Sequence, residues 1–111
     1  MPYYVYVIEL DKAFAKTPRA KKVNPHSNID KPCIYVGSSS KKPEERFYEH
    51  INGVRNIRGP LFSRVVHRYG IRLRPHLYQK YNPMKTREEA QTNEEALTIK
   101  YRRRGYTVWS N

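Results

Sequence analysis

Residues 32–50, PCIYVGSSSKKPEERFYEH, set Tyr35 and Gly37 at the end of an apolar run, then place Arg46 and His50 at an i, i+4 interval. On a helix that interval projects both side chains from one flank. Two protonated groups so placed would repel by about 0.2–0.5 kcal/mol. The pair makes sense with His50 neutral, or with an anion lying between the two. Phosphate suits that position, because a guanidinium such as that of Arg46 can bind it bidentately. Gly37, lacking a side chain, would let the following turn or a nucleic-acid backbone come close to Tyr35.

Those residues need a scaffold, and the rest of the chain supplies its elements. YYVYVIEL, residues 3–10, is dense in aromatic and β-branched residues and reads as a largely buried first strand. Residues 11–32 are basic and polar with scattered prolines, so they are expected to form a long loop. A second strand over about 33–37 pairs with the first as an antiparallel hairpin. Pro43, Glu44 and Glu45 mark a helix start, with Phe47, Ile51 and Val54 as its apolar stripe. A second helix is expected over about 60–69, capped by Gly70, and residues 71–78 read as a short edge strand or extended segment interrupted by Pro75. Thr86 with Glu89 forms a capping-box pattern and Gly105 a C-cap, which predicts a last helix over about 87–104. YTVW, residues 106–109, could then add a third strand. The expected architecture is a single domain over 1–111 of α/β (α+β) class, a small antiparallel three-stranded sheet flanked by about three helices.

With 111 residues the chain can bury roughly two-thirds of its unfolded surface in one core. Its 22 Lys+Arg against 10 Asp+Glu give a formal charge of +12, while 38% hydrophobic and 13% aromatic content argue against a disordered basic tail. A folded polycation attracts phosphate backbones, and nucleic acid, DNA first, is the expected partner. A membrane partner is not expected, since no basic amphipathic helix with a large apolar face stands out. The single cysteine, Cys33, excludes an internal disulfide and a thiolate-rich zinc site, and reads as a small core residue. With no signal peptide, spanning stretch or lipidation motif, the chain is expected to be soluble, intracellular and cytoplasmic. Nothing in it specifies an oligomeric state.

YVY at 4–6 in a first strand, YVG at 35–37 in a second, and R-x-x-x-H at 46 and 50 together resemble the GIY-YIG nuclease family. The resemblance spans nearly the whole chain and describes a minimal catalytic domain. Two departures stand out: Tyr4 occupies the place of the name-giving glycine, and the basic loop lengthens the interval between the motifs. The asparagine that many members carry about a dozen residues beyond their glutamate has no match at Tyr106 or Thr107, and Asn111 comes only at the terminus. The resemblance implies a metal-dependent endonuclease or nickase that leaves 5′-phosphate and 3′-hydroxyl ends. Tyr35 would be the general base, its pKa lowered by Arg46 and a metal ion, with Tyr6 lining the pocket and His50 hydrogen-bonded to a phenol or to the water.

The same resemblance implies a carboxylate on the last helix holding one divalent cation, magnesium or alternatively manganese. Glu94 shares a helical face with Ala90, Leu97, Thr98 and Tyr101, whereas Glu95 is rotated about 100° away and is the alternative. Lys12, Lys16, Arg19, Lys21 and Lys22 in the long loop, with Arg64, Arg68, Arg72 and Arg74 further on, are candidate nucleic-acid contacts that would flank the cleft. The competing reading is a non-catalytic nucleic-acid-binding module derived from a nuclease fold, its tyrosines stacking on bases. A membrane-surface or RNA-assembly protein is a third.

Overall fold

The structure, a computed structural model, describes residues 1–110; Asn111 lies outside the described residues. Its sheet has four strands: β1 (Tyr4–Leu10), β2 (Cys33–Ser39), β3 (Gly70–Leu73) and β4 (Thr107–Trp109), in the order β3-β1-β2-β4. β1 pairs antiparallel with β2, as expected of the hairpin, and on its other edge pairs antiparallel with β3, which ends at Leu73 before Pro75. The sheet is nevertheless mixed, because β4 runs parallel to β2 and makes a fourth strand rather than the third. The reason lies in the helix before it. That helix, α5 (Arg87–Arg103), packs against β1 and β2, starts beside the beginning of β1, and delivers the chain to the Cys33 end of β2.

The stretch expected as a long loop contains two helices, α1 (Lys12–Ala15) and α2 (Pro18–Val23). Asp11 caps the first by accepting from Ala13 N, and Thr17 caps the second by accepting from Ala20 N, with Pro18 at its first position. Each is too short to persist alone and is held by what it buries. Phe14 and Ala20 are fully buried, and Phe14 packs on Tyr69 and edge-on to Trp109. Burial of a phenylalanine of this kind contributes about 1.5–3 kcal/mol. Asn24, buried after α2, then ties three segments together. Its Nδ2 donates to Ala20 O and Val108 O, and its Oδ1 accepts from Val108 N and Arg102 Nε. All of its polar capacity is used.

Two further helices complete the fold. α3 (Pro43–Ile51) starts at its proline as expected, but Val54 lies beyond its end and Ile51 is partly exposed, so its buried side is made of Pro43, Phe47 and His50. α4 is Arg64–Tyr69, not 60–69, because Ser63 caps it by accepting from Val66 N. Leu61 and Phe62 therefore belong to the approach to that cap. α5 ends at Arg103 with Arg104 as its C-cap, and Gly105 follows with a φ of +86°, the left-handed conformation that a glycine supplies just past a helix end. No helix among the described residues is long and apolar enough to cross a membrane.

The start of β1 extends past β3, and its free side there is covered by the segment leading to α5. Tyr3 N donates to Met84 O and Met84 N to Tyr3 O, while the Asn82 amide spans the Val5 backbone, accepting from its N and donating to its O. The first turn of α5 is thereby pinned to the strand that carries Tyr6.

Replacing Asn24 with alanine should leave Val108 N without its partner, while Val108 O and Arg102 keep their bond to each other, which predicts a loss of about 1–3 kcal/mol, the cost of one buried unsatisfied group. Urea denaturation reads this; a loss no larger than that of the exposed Asn28→Ala would contradict the role given to Asn24.

Candidate active site

Tyr6 on β1 lies directly opposite Gly37 on β2, and Tyr35 lies opposite Ile8. Alternation along the strands puts Tyr6, Gly37 and Tyr35 on one face, with the two tyrosines as diagonal neighbours. A Cβ on Gly37 would fall 2.6 Å from Tyr6 Cζ and Oη and 2.8 Å from Tyr35 Cε1. The glycine is thus required by two phenol rings that lean over it. The rings themselves stand 6.2 Å apart between centroids.

The third member arrives from α3. The His50 ring packs 6.0 Å from Tyr6 and 5.7 Å, edge-on, from Tyr35, and its Nε2 is 3.0 Å from the Tyr6 hydroxyl. Burial first, then the Arg46 guanidinium, push His50 down from 6.5 to about 4, with Glu49 pulling weakly the other way. At neutral pH the ring is uncharged, which removes the repulsion that its spacing from Arg46 would otherwise create.

Arg46 is held from several sides. Its Nε donates to Ser39 Oγ at 3.2 Å and lies 3.6 Å from Glu49 Oε1, and Lys41 closes the group by pairing with Glu49. The guanidinium sits 3.9 Å above the ring of Phe62, which also meets His50 edge-on. Phe62 falls inside the helix that the sequence predicts over about 60–69. Its real position, just before the Ser63 cap, follows from the later start of α4.

The two phenols are electrostatically opposed to ionisation. Burial and then the Glu94 carboxylate push Tyr35 well above the ordinary phenol range, while Tyr6, Arg46 and Ser63 pull it back. Tyr6 is pushed up by burial and then by Tyr35. The lowering by Arg46 expected from the sequence is present, but desolvation outweighs it.

Glu94 completes the group from α5, where Ala90, Leu97, Thr98 and Tyr101 are buried on its side of the helix. Ser110 donates to Glu94 Oε2 at 3.0 Å, a contact made because β4 stops at Trp109, opposite Tyr35. The same early stop leaves the edge of β2 beyond Tyr35 without a neighbouring strand. A cavity of about 320 Å³ lies there, lined by Tyr6, Tyr35, Arg46, His50, Phe62 and Glu94. Ser38, Arg87 and Gln91 also line it, and sequence reasoning missed all three. The helical period carried the signal for two of them, since 87, 91 and 94 are at i, i+4 and i+7. Glu95 is exposed and does not line the cavity.

A divalent cation would find one carboxylate in the lining of this cavity, that of Glu94. No group of three or more His, Cys, Asp or Glu side chains among the described residues could hold a metal ion. That argues against a closed all-protein cage and leaves the open arrangement that hard cations accept, one carboxylate completed by water and phosphate oxygens. Glu94 is the carboxylate available.

None of the nine basic residues expected to flank the cleft lines this cavity. Lys12, Lys16, Arg19, Lys21 and Lys22 sit on α1 and α2, past the far end of β1, and Arg19 stacks over Phe14 and Trp109. Arg72 and Arg74 pair with Glu9, at 3.5 and 3.2 Å. Arg64 and Arg68 are exposed on α4, the latter against the ring of Tyr69. Comparison with protein-family models, curated proteins and solved structures found no match for this chain.

Two outcomes are expected from this geometry. Gly37→Ala should cost about 1–3 kcal/mol by overpacking and displace both phenols, read as a lowered midpoint in urea and shifted tyrosine resonances; a variant as stable as wild type would contradict the packing described. For His50, the unfolded chain takes up the proton first as pH falls. Its contribution is therefore present above about 6.5 and lost as pH drops toward about 4. The stability gap between wild type and His50→Gln should narrow across that window, and a constant gap would contradict a buried neutral ring.

Proposed function

We propose that the chain is a metal-dependent endonuclease or nickase of GIY-YIG type acting on DNA. The observation that carries this reading is the gathering of two phenols, an imidazole, a guanidinium and a carboxylate from β1, β2, α3 and α5 around one cavity of about 320 Å³. A phosphodiester seated against Arg46 meets a cation already fixed by Ser39, Glu49 and Phe62, so little side-chain freedom is lost when it binds. Tyr35, as phenolate, takes a proton from water while the water oxygen bonds to phosphorus. The bond from phosphorus to the 3′ oxygen breaks, and that oxygen takes a proton from solvent, leaving 5′-phosphate and 3′-hydroxyl ends. Neutral His50 accepts or donates at the Tyr6 hydroxyl and holds that phenol beside Tyr35. Gly37 keeps the space in which the two rings lie.

Glu94 would hold the divalent cation, magnesium in the first instance, which would supply charge for the phosphate oxygens and offset the carboxylate's upward push on both phenols. Burial of Tyr35 makes that offset necessary near neutral pH. One such site cuts one strand, so nicking of supercoiled DNA is the activity expected of a single protomer.

Supercoiled plasmid with Mg²⁺ or Mn²⁺ is the assay. Tyr35→Phe, Arg46→Ala and Glu94→Gln should each lower nicking by about a hundredfold or more, the scale of losing one transition-state donor, with binding largely retained in the Tyr35 and Glu94 variants. Tyr35→Phe and Glu94→Gln variants that both cut like wild type would overturn the mechanism, and a wild type that binds but leaves plasmid intact with either ion would favour a binding module instead.

A further inference from the structure

The cavity around Tyr35 is not closed at its serine side. A second cavity, of about 330 Å³, shares Ser38, Arg46, Arg87 and Gln91 with it, so the two are lobes of one cleft with a common wall. The second lobe reaches Tyr3, Ser39 and Ser40. Resting on the nuclease reading, we propose that this lobe binds the phosphate and sugar next to the one being cut, and that Arg87 is its anion-binding residue.

Charge is the first argument. The ionisable side chains lining the second lobe are Arg46, Arg87 and the Tyr3 phenol, with no carboxylate among the described residues there. A site furnished in this way selects an anion. Availability is the second. The side chains of Ser38, Ser40, Arg87 and Gln91 have no hydrogen-bond or ion-pair partner among the described residues. Arg46, by contrast, is tethered to Ser39 and Glu49, Arg72 and Arg74 are tied to Glu9, and Arg102 to Asn24 and Val108 O. Arg87 thus brings a free five-donor fork to the common wall.

Position is the third argument. Arg87 is the first residue of α5, where a cation opposes the helix dipole. Glu88 and Glu89 in the same turn offset that, yet an acidic or neutral residue at 87 would suit the helix better. The Tyr3–Met84 bridge and the Asn82 contacts to Val5 hold this turn against the start of β1, two residues from Tyr6. The spacing of Arg87 from the phenols is therefore set by strand pairing and not by a mobile loop. A polymer whose phosphate lies against Arg46 in one lobe has to leave the cavity somewhere, and the lobe sharing Arg46 offers it a second cation and free hydroxyls.

Binding of a short duplex oligonucleotide in EDTA, followed by fluorescence anisotropy across a NaCl series, tests this without cleavage. Loss of one phosphate contact lowers the slope of log affinity against log salt by about 0.9. Arg87→Gln should show that drop, while Arg87→Lys retains the slope. Arg87 is exposed at a helix start, so matched thermal melts of the variants will show that folding is not at issue. With plasmid and Mg²⁺, Arg87→Gln should raise KM several-fold and leave kcat within a few-fold of wild type. A wild type that nicks DNA alongside an Arg87→Gln variant of unchanged slope overturns the second lobe and spares the nuclease reading. A drop in slope with a wild type that cuts nothing does the reverse, and a wild type without measurable affinity overturns both.

Discussion

The site depends on one register. Tyr6 opposite Gly37 puts two phenols diagonally on one sheet face and leaves the space between them vacant for their own rings. A slip of one residue between the strands would put the two tyrosines on opposite faces, because side chains alternate with a period of two. A side chain at 37 would force the rings apart, since an added Cβ would meet them at 2.6–2.8 Å. Every other member is placed relative to this pair. His50 reaches it through the Tyr6 hydroxyl, Arg46 follows from the helical turn that carries His50, and Phe62 fills the angle between those two.

Burial does two opposite things to this group. It keeps His50 uncharged, which permits the imidazole to sit beside a guanidinium without repulsion and to share a hydrogen bond with Tyr6. It also raises both phenols, and Glu94 adds to the rise at Tyr35. The same desolvation that makes the cluster mutually compatible thus works against a phenolate. Positive charge has to come close for that balance to reverse, and Arg46 alone, tethered to Glu49, does not outweigh the burial.

What the sequence made legible and what it did not divide along a physical line. Local and periodic signals read well: the aromatic first strand, the Thr86 cap, the Gly105 end and the face of α5 bearing Glu94 all appear as the residue types required. The helices α1 and α2 have local signals too, Asp11 and Thr17 followed by Pro18, but a proline in a basic stretch marks a loop and a first helical position alike, and Pro18 is the latter. Other features have no local signature. The parallel pairing of β4 follows from where α5 sets the chain down, and the burial of Asn24 from its contacts with Val108 and Arg102, 84 and 78 positions away. Phe62 became a site residue because Ser63, not Pro60, starts its helix.

The distribution of charge separates two physical roles that composition merges. A formal charge of +12 produces a long-range field that salt screens, and the lysines and arginines of α1, α2 and α4 contribute to it from surfaces outside the cavity. Within the cavity the opposite economy holds: His50 and the phenols are uncharged, and the cations are Arg46, held in place, and Arg87, free. Remote charges raise the local concentration of a polyanion whatever its orientation. Orientation requires groups that cannot move, and these are the ones the strand register and two helix starts fix in space. For that reason neutralising surface lysines and loosening the grip on Arg46 are different perturbations: the first acts through the field and fades with salt, the second through geometry and does not.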